Sequence, residues 1–218
     1  MILTRITAVG TDGSRVMLWF DDGSKMRAST SMVAEFGLYG GMELEEQDLE
    51  HLMDAAQRAS ARNRAVRIVS TTAVSERQLQ QKLIRKGERP EDAKEATEWL
   101  HSIGALDDHA MAGRITESCI RKGYGKNRIR QELIQKGIPR EYRDEALENL
   151  PDLSASVDHF LERKLGSQAP DQKELQKVCN ALARRGFSWA EISAGLRRWR
   201  ETLEELPDDL PELPELYD

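Results

Sequence analysis

The chain has 218 residues; 39% are hydrophobic, 32% charged and only 6% aromatic. Charge above the ~25% usual for globular proteins, with sparse aromatics, fits helices that keep one face wet around a thin, elongated core. The net charge of −6 argues by itself against a nucleic-acid binder, but it averages a basic middle with two acidic ends. Residues 1–50 carry 4 basic and 9 acidic side chains, residues 51–200 carry 28 and 21, and residues 201–218 carry 8 acids and no base. Cys119 and Cys179 lie far apart in helical patterns, which excludes a disulfide framework and reads as two buried thiols. The absence of a secretory apolar region or a long apolar run predicts a cytoplasmic chain that does not engage a membrane.

In chain order, residues 1–45 read as a small β segment. Val16-Met17-Leu18-Trp19-Phe20 is a short β-favouring run between the turn signals Asp12-Gly13 and Asp21-Asp22-Gly23. Residues 2–9, 15–20 and 25–28 are therefore expected to form an antiparallel sheet. Such a sheet needs a third strand or a helix to pack on. Helical signals begin near Ser31, and residues 43 to about 70 read as one long helix.

An internal repeat organises the rest of the chain. RQLQQKLIRKG at 77–87 matches NRIRQELIQKG at 127–137, fifty residues on, and a weaker copy, KVCNALARRG, lies at 177–186. Each copy has apolar residues at i and i+4 and a glycine at i+8: Leu79, Leu83 and Gly87; Ile129, Leu133 and Gly137; Val178, Leu182 and Gly186. This pattern describes an amphipathic helix stopped by a left-handed glycine, with basic residues in its last turn. A second helix follows each glycine, starting at Pro90, at Pro139 and after Ser188 as cap. Its inward positions are expected to be Ala93, Ala96 and Leu100; Arg143, Ala146 and Leu150; and Ile192, Gly195 and Trp199. A preceding helix, 108–122 in the second copy and 154–164 in the third, completes a three-helix unit. Units that cannot bury their own core stack on their neighbours. The expected fold is mainly α, with tandem three-helix repeats at 46–105, 106–151 and 152–200, and an acidic, flexible tail at 201–218.

Lys122, Lys126, Arg128 and Arg130 surround Gly123 and Gly125, so basic residues ring a tight bend that suits phosphates or an acidic protein surface. The alternative is that Lys122 caps a helix while Arg128 and Arg130 are simply solvated. Arg85, Lys86, Arg184 and Arg185 sit in the last helical turns of the other repeats, where the helix dipole alone favours bases. Tyr124 is placed either to stack on a base or to pack at the bend. Trp99, Trp189 and Trp199 read as core. Asp107-Asp108 reads as a helix cap rather than a metal site. His51, His101, His109 and His159 lack ligand spacing, and no carboxylate pair, nucleophile–base set or phosphate-cradling loop stands out. No catalytic residue, metal or cofactor is expected.

Leu106-Asp107-Asp108-His109-Ala110-Met111-Ala112, the stretch RKGYGKNRIRQEL at 121–133, and Lys136-Gly137-Ile138 together resemble the signature of RecX proteins. The resemblance covers roughly residues 60–200, and the N-terminal strands are similar to an extension found in part of that family. It implies a curved molecule of tandem three-helix units. It also implies a monomeric, non-enzymatic regulator that binds RecA, above all its filament on single-stranded DNA, suppresses ATP hydrolysis and strand exchange, and promotes filament disassembly. The acidic tail departs from the family pattern. It reads either as a solubilising segment or as one that folds back over the basic faces. Direct DNA binding without RecA is the competing function, through the same cations.

Overall fold

The computed structural model describes residues 1–10, 14–166 and 170–202. The turn expected at Asp12-Gly13 and the tail beyond Thr202 lie outside the described residues. Of the described residues, 64% are helical, in ten helices beside a small N-terminal antiparallel sheet.

The sheet comprises β1 (Ile2–Val9), β2 (Arg15–Phe20), β3 (Lys25–Ser29) and β4 (Met42–Glu43), in the order β3-β2-β1-β4. Period-two alternation buries Val16, Leu18 and Phe20 of β2 on one face, with Leu3 and Ala28 beside them. The β2–β3 turn is closed by Asp22, whose carboxylate accepts the Ser24 amide at 2.8 Å, and by Gly23 at φ 82°. The strand β4 was not foreseen. Two residues are too few to show a pattern, and β4 exists because Met42 and Glu43 pair with Leu3 and Ile2. The short helix α1 (Thr30–Glu35) corresponds to the helical signal near Ser31 and is capped by Ser29.

Helix α2 (Glu46–Thr71) starts three residues later than expected, because Met42 and Glu43 belong to the sheet. Its 26 residues span about 39 Å. The N-terminal half covers the sheet through Leu52, and the C-terminal half packs Ala61 and Ala65 into a second core. Serving two cores on different faces explains why α2 shows no single apolar stripe. The second core is completed by Leu79 and Leu83 of α3 (Glu76–Arg85) and by Ala93, Ala96 and Leu100 of α4 (Pro90–Ser102).

The chain divides into two units, Met1–Leu106 and Asp107–Asp218. The second holds α5 (Asp108–Arg121), α6 (Lys126–Gln135), α7 (Arg140–Glu148), α8 (Ser154–Leu165), α9 (Gln172–Arg184) and α10 (Trp189–Glu201). Both of its helix triplets contribute to one core, which includes Ile129, Leu133, Leu161, Leu182, Ile192 and Leu196. Gly195 lets α10 approach α8, since a Cβ there would lie 2.5 Å from Val157 Cγ1. On α7 the expected inward set needs correction. Ala146 and Leu150 pack half-buried against the core as expected, but Leu147 is the buried residue and Arg143 is only half-buried. The helix ends at Glu148, so Leu150 reaches the core from just beyond it.

The repeat glycines do what their pattern demands. Gly87, Gly137 and Gly186 have φ of 89°, 76° and 91°. Each helix end closes in the same way. The glycine amide and the next amide donate back to carbonyls of the last turn, as in Glu88 N to Leu83 O (3.1 Å) and Ile138 N to Leu133 O (3.1 Å). Cys119 and Cys179 are both buried, and burial pushes the Cys179 thiol up to about 11.

Candidate functional site: two basic concavities

The bend expected to carry function is built from the α5–α6 turn and the α9–α10 turn, which interlock. Gly123 (φ 67°) ends α5, with Tyr124 N donating to Cys119 O at 3.1 Å, and Gly125 starts α6. The Gly125 amide donates to Arg185 O at 2.9 Å, and Asn127 N donates to Gly186 O at 3.1 Å. The glycines are required by this approach: a Cβ on Gly125 would lie 2.5 Å from Gly186 O, and one on Gly186 would lie 2.2 Å from Arg128 N.

Beside the interlock is a cleft of about 440 Å³ lined by Tyr124, Arg128, Phe160, Ala181, Arg184 and Arg185. Arg185 faces inward. Its Nη1 donates to Lys122 O at 2.9 Å and Gly123 O at 3.3 Å, and its guanidinium lies 4.9 Å from the Phe160 ring centroid. It therefore caps the C-terminal carbonyls of α5, where a cation also meets the helix dipole. Arg128 stacks on Tyr124 at 5.7 Å and pairs with Glu132 at 2.7 Å. Arg184 is exposed and has no carboxylate partner among the described residues. Lys122, Lys126 and Arg130 are exposed on the same bend but do not line the cleft; Arg130 donates to Asn127 Oδ1 at 3.3 Å. Tyr124 is half-buried against the core, so packing accounts for one of its faces and Arg128 for another. Asp107 caps α5 by accepting the Ala110 amide at 2.8 Å.

Arg85 and Lys86 belong to the other unit and to a separate groove. They line about 720 Å³ with Lys82 from α3, with Arg64, Arg67, Ile68 and Thr71 from α2, and with Thr72, which caps α2. Arg64 pairs with Glu88 at 2.9 Å and donates to the Lys86 carbonyl. Among the described residues none of Arg67, Lys82, Arg85 and Lys86 pairs with a carboxylate, and no acid lines the groove. Each helix C-terminus offers only about half a negative charge, so the four cations other than Arg64 are undercompensated. The sequence pattern alone did not single out Arg64, Arg67 and Lys82. The i, i+3, i+7 series Arg64, Arg67, Thr71 was a usable signal, but it is diluted by the charge all around α2.

This arrangement of helix triplets has counterparts among known proteins. Residues 107–147 match the second three-helix domain of RecX, and residues 155–196 match its third. These ranges coincide with the triplets α5–α7 and α8–α10. The regulatory protein RecX of Clostridioides difficile (strain 630) is 29% identical over 130 residues, which make up 59% of this chain and 60% of the relative. A crystal structure of a regulatory protein RecX superimposes with a TM-score of 0.68 at 26% identity, covering 90% of this chain and 98% of its own. RecX from Lactobacillus salivarius, at 18% identity, gives 0.61 over 67% of this chain and 99% of its own, a likeness of fold. The glycine-closed helix triplets, two matched RecX domains and a structural relative that covers 90% of the chain lead to one assignment: residues 107–196 carry the second and third three-helix domains of RecX.

Proposed function

We propose that this protein binds RecA and its nucleoprotein filament on single-stranded DNA and lowers the filament's ATPase and strand-exchange activity. The reading rests on two matched RecX domains and on likeness to proteins named regulatory protein RecX. The basic bend supports it, with Lys122, Lys126, Arg130 and Arg184 exposed and Tyr124 and Arg128 at the cleft. A surface of that kind attracts an acidic protein face or a filament whose DNA carries dense negative charge. Arg185 holds the bend in shape rather than touching the partner. The test is RecA hydrolysis of ATP on single-stranded DNA with the purified protein at micromolar excess. Inhibition is expected, weakened by Lys126→Glu with Arg130→Glu. Unchanged hydrolysis and filament length would defeat the proposal.

The groove in which Arg67, Lys82, Arg85 and Lys86 lack carboxylate partners among the described residues favours a second reading, direct contact with DNA phosphates. Binding to DNA without RecA should then weaken steeply with salt, in proportion to the phosphates neutralised.

A further inference from the structure

The N-terminal sheet lies outside both matched RecX domains, and its outer face has a composition unlike the rest of its segment. The register sets three cross-strand rows: Arg5, Trp19 and Lys25; Thr7, Met17 and Arg27; Val9, Arg15 and Ser29. These positions alternate with the buried face that carries Val16, Leu18 and Ala28, so all nine belong to the other side of the sheet. Every basic residue of the first fifty, Arg5, Arg15, Lys25 and Arg27, is on that face. None of the segment's nine acids is among the nine positions.

Trp19 sits in the middle strand. Arg5 lies 5.0 Å and Lys25 5.6 Å from its ring centroid, and its Nε1 donates to Thr7 Oγ1 at 3.1 Å, which fixes the ring's orientation. Among the described residues Arg5, Lys25 and Arg27 form no ion pair with a carboxylate. Strands are about 4.8 Å apart and alternate residues about 6.8 Å apart, so the field measures roughly 10 by 14 Å. Folding alone does not call for this segregation. Cross-strand rows are stabilised by opposite charges, and gathering like charges on one face opposes the sheet.

From this juxtaposition we propose that the outer face of the sheet is a platform for single-stranded nucleic acid, with one base stacked on Trp19 and its flanking phosphates held by Arg5, Lys25 and Arg27. An aromatic ring set among unpaired cations is the arrangement that binds single strands without reading their sequence, since every base offers a π-face and every nucleotide a phosphate. Arg5 and Lys25 move from the ring to the phosphates as the base arrives. An acidic protein surface would satisfy the cations but has no use for the ring. A duplex keeps its bases stacked internally and cannot reach it.

The experiment uses the full chain without RecA and a fluorescein-labelled oligo-dT, read by anisotropy over a salt series. Trp19→Ala should weaken binding about 5- to 150-fold, the effect of removing one stacked base. Trp19→Phe should restore most of it, and thermal melts keep folding defects apart. Lys25→Gln with Arg27→Gln should flatten the log–log salt slope by about 0.7 for each phosphate released. Oligo-dT should quench tryptophan fluorescence in the wild type and not in Trp19→Phe. Wild-type affinity and slope in folded Trp19→Ala and Lys25→Gln/Arg27→Gln proteins would overturn the platform. So would duplex binding with the same dependence on Trp19. Loss on Lys25→Gln/Arg27→Gln without any effect of Trp19→Ala, together with equal competition by polyglutamate, would assign the face to an acidic protein instead. Because RecA is absent, each result is independent of whether the ATPase inhibition proposed above holds.

Discussion

The interlocked turns of the second unit separate backbone strain from steric contact, through three glycines within one fold. Gly123 has φ 67°, and a Cβ there would meet only the end of the Arg185 side chain, at 3.4 Å. Gly123→Ala should cost the left-handed penalty alone, about 1–2 kcal/mol. Gly125 has an ordinary φ of −83°, yet its Cβ would lie 2.5 Å from the Gly186 carbonyl oxygen and 2.7 Å from Phe187 N. Backbone cannot yield as a side-chain tip can, so Gly125→Ala must part the two turns. The separation removes the Gly125–Arg185 and Asn127–Gly186 hydrogen bonds, about 1 kcal/mol each. Overpacking adds about 1–3 kcal/mol, for a total of about 3–5 kcal/mol. Gly186→Ala suffers both penalties, with φ 91° and a Cβ 2.2 Å from Arg128 N, and should be the most damaging of the three. Urea unfolding by circular dichroism measures the ranking, and amide exchange at Gly125 and Asn127 localises it. Gly123→Ala should keep both amides slow, and Gly125→Ala should release them. If Gly125→Ala is no less stable than Gly123→Ala and its amides stay protected, the turns do not hold each other.

Ser188 and Glu191 form a reciprocal cap on α10, with Glu191 Oε2 accepting the Ser188 amide at 2.6 Å; Ser188→Ala should cost about 1 kcal/mol in the same unfolding assay. Burial raises the pKa of Cys119 and Cys179, so neither thiol should react with an aromatic disulfide reagent at pH 8 until urea is added. Rapid labelling of folded protein would contradict this. Hydrogen bonds from the Ser154 hydroxyl and amide, at 2.7 and 2.9 Å, hold the Asp152 carboxyl below its ordinary value. A depressed folded pKa contributes stability that is present above the unfolded value near 4 and lost as pH falls through the folded value. The acid limb of the stability profile should therefore flatten in Asp152→Asn. Gly195→Val should disrupt the α8–α10 contact through Val157 and lower the melting temperature, whereas Gly113→Ala, with nothing within 4 Å of its new Cβ, should not.

Much of the fold was legible because its determinants are local. Leu79, Leu83 and Gly87 and their two later counterparts specify a helix, its buried face and its stop within eleven residues, since i, i+4 contacts and a left-handed glycine need no distant partner. Strands β1 and β2 were likewise readable from alternation and turn residues. What failed depended on distant chain. The pairing of β4 is dictated by β1, and the inward role of Leu147 by the helices that α7 packs against. The candidate site follows the same division. That bases cluster at Gly123, Gly125, Gly87 and Gly186 is written in the sequence, because the end of a helix favours cations. Which of those bases remain available is decided by tertiary packing. Arg185 turns inward to the α5 carbonyls and Phe160, while Arg64, Arg67 and Lys82 join Arg85 and Lys86 only because α2 and α3 lie side by side. The basic outer face of the sheet is a matter of register: a shift of one residue would carry Trp19 and the cations around it to the buried side.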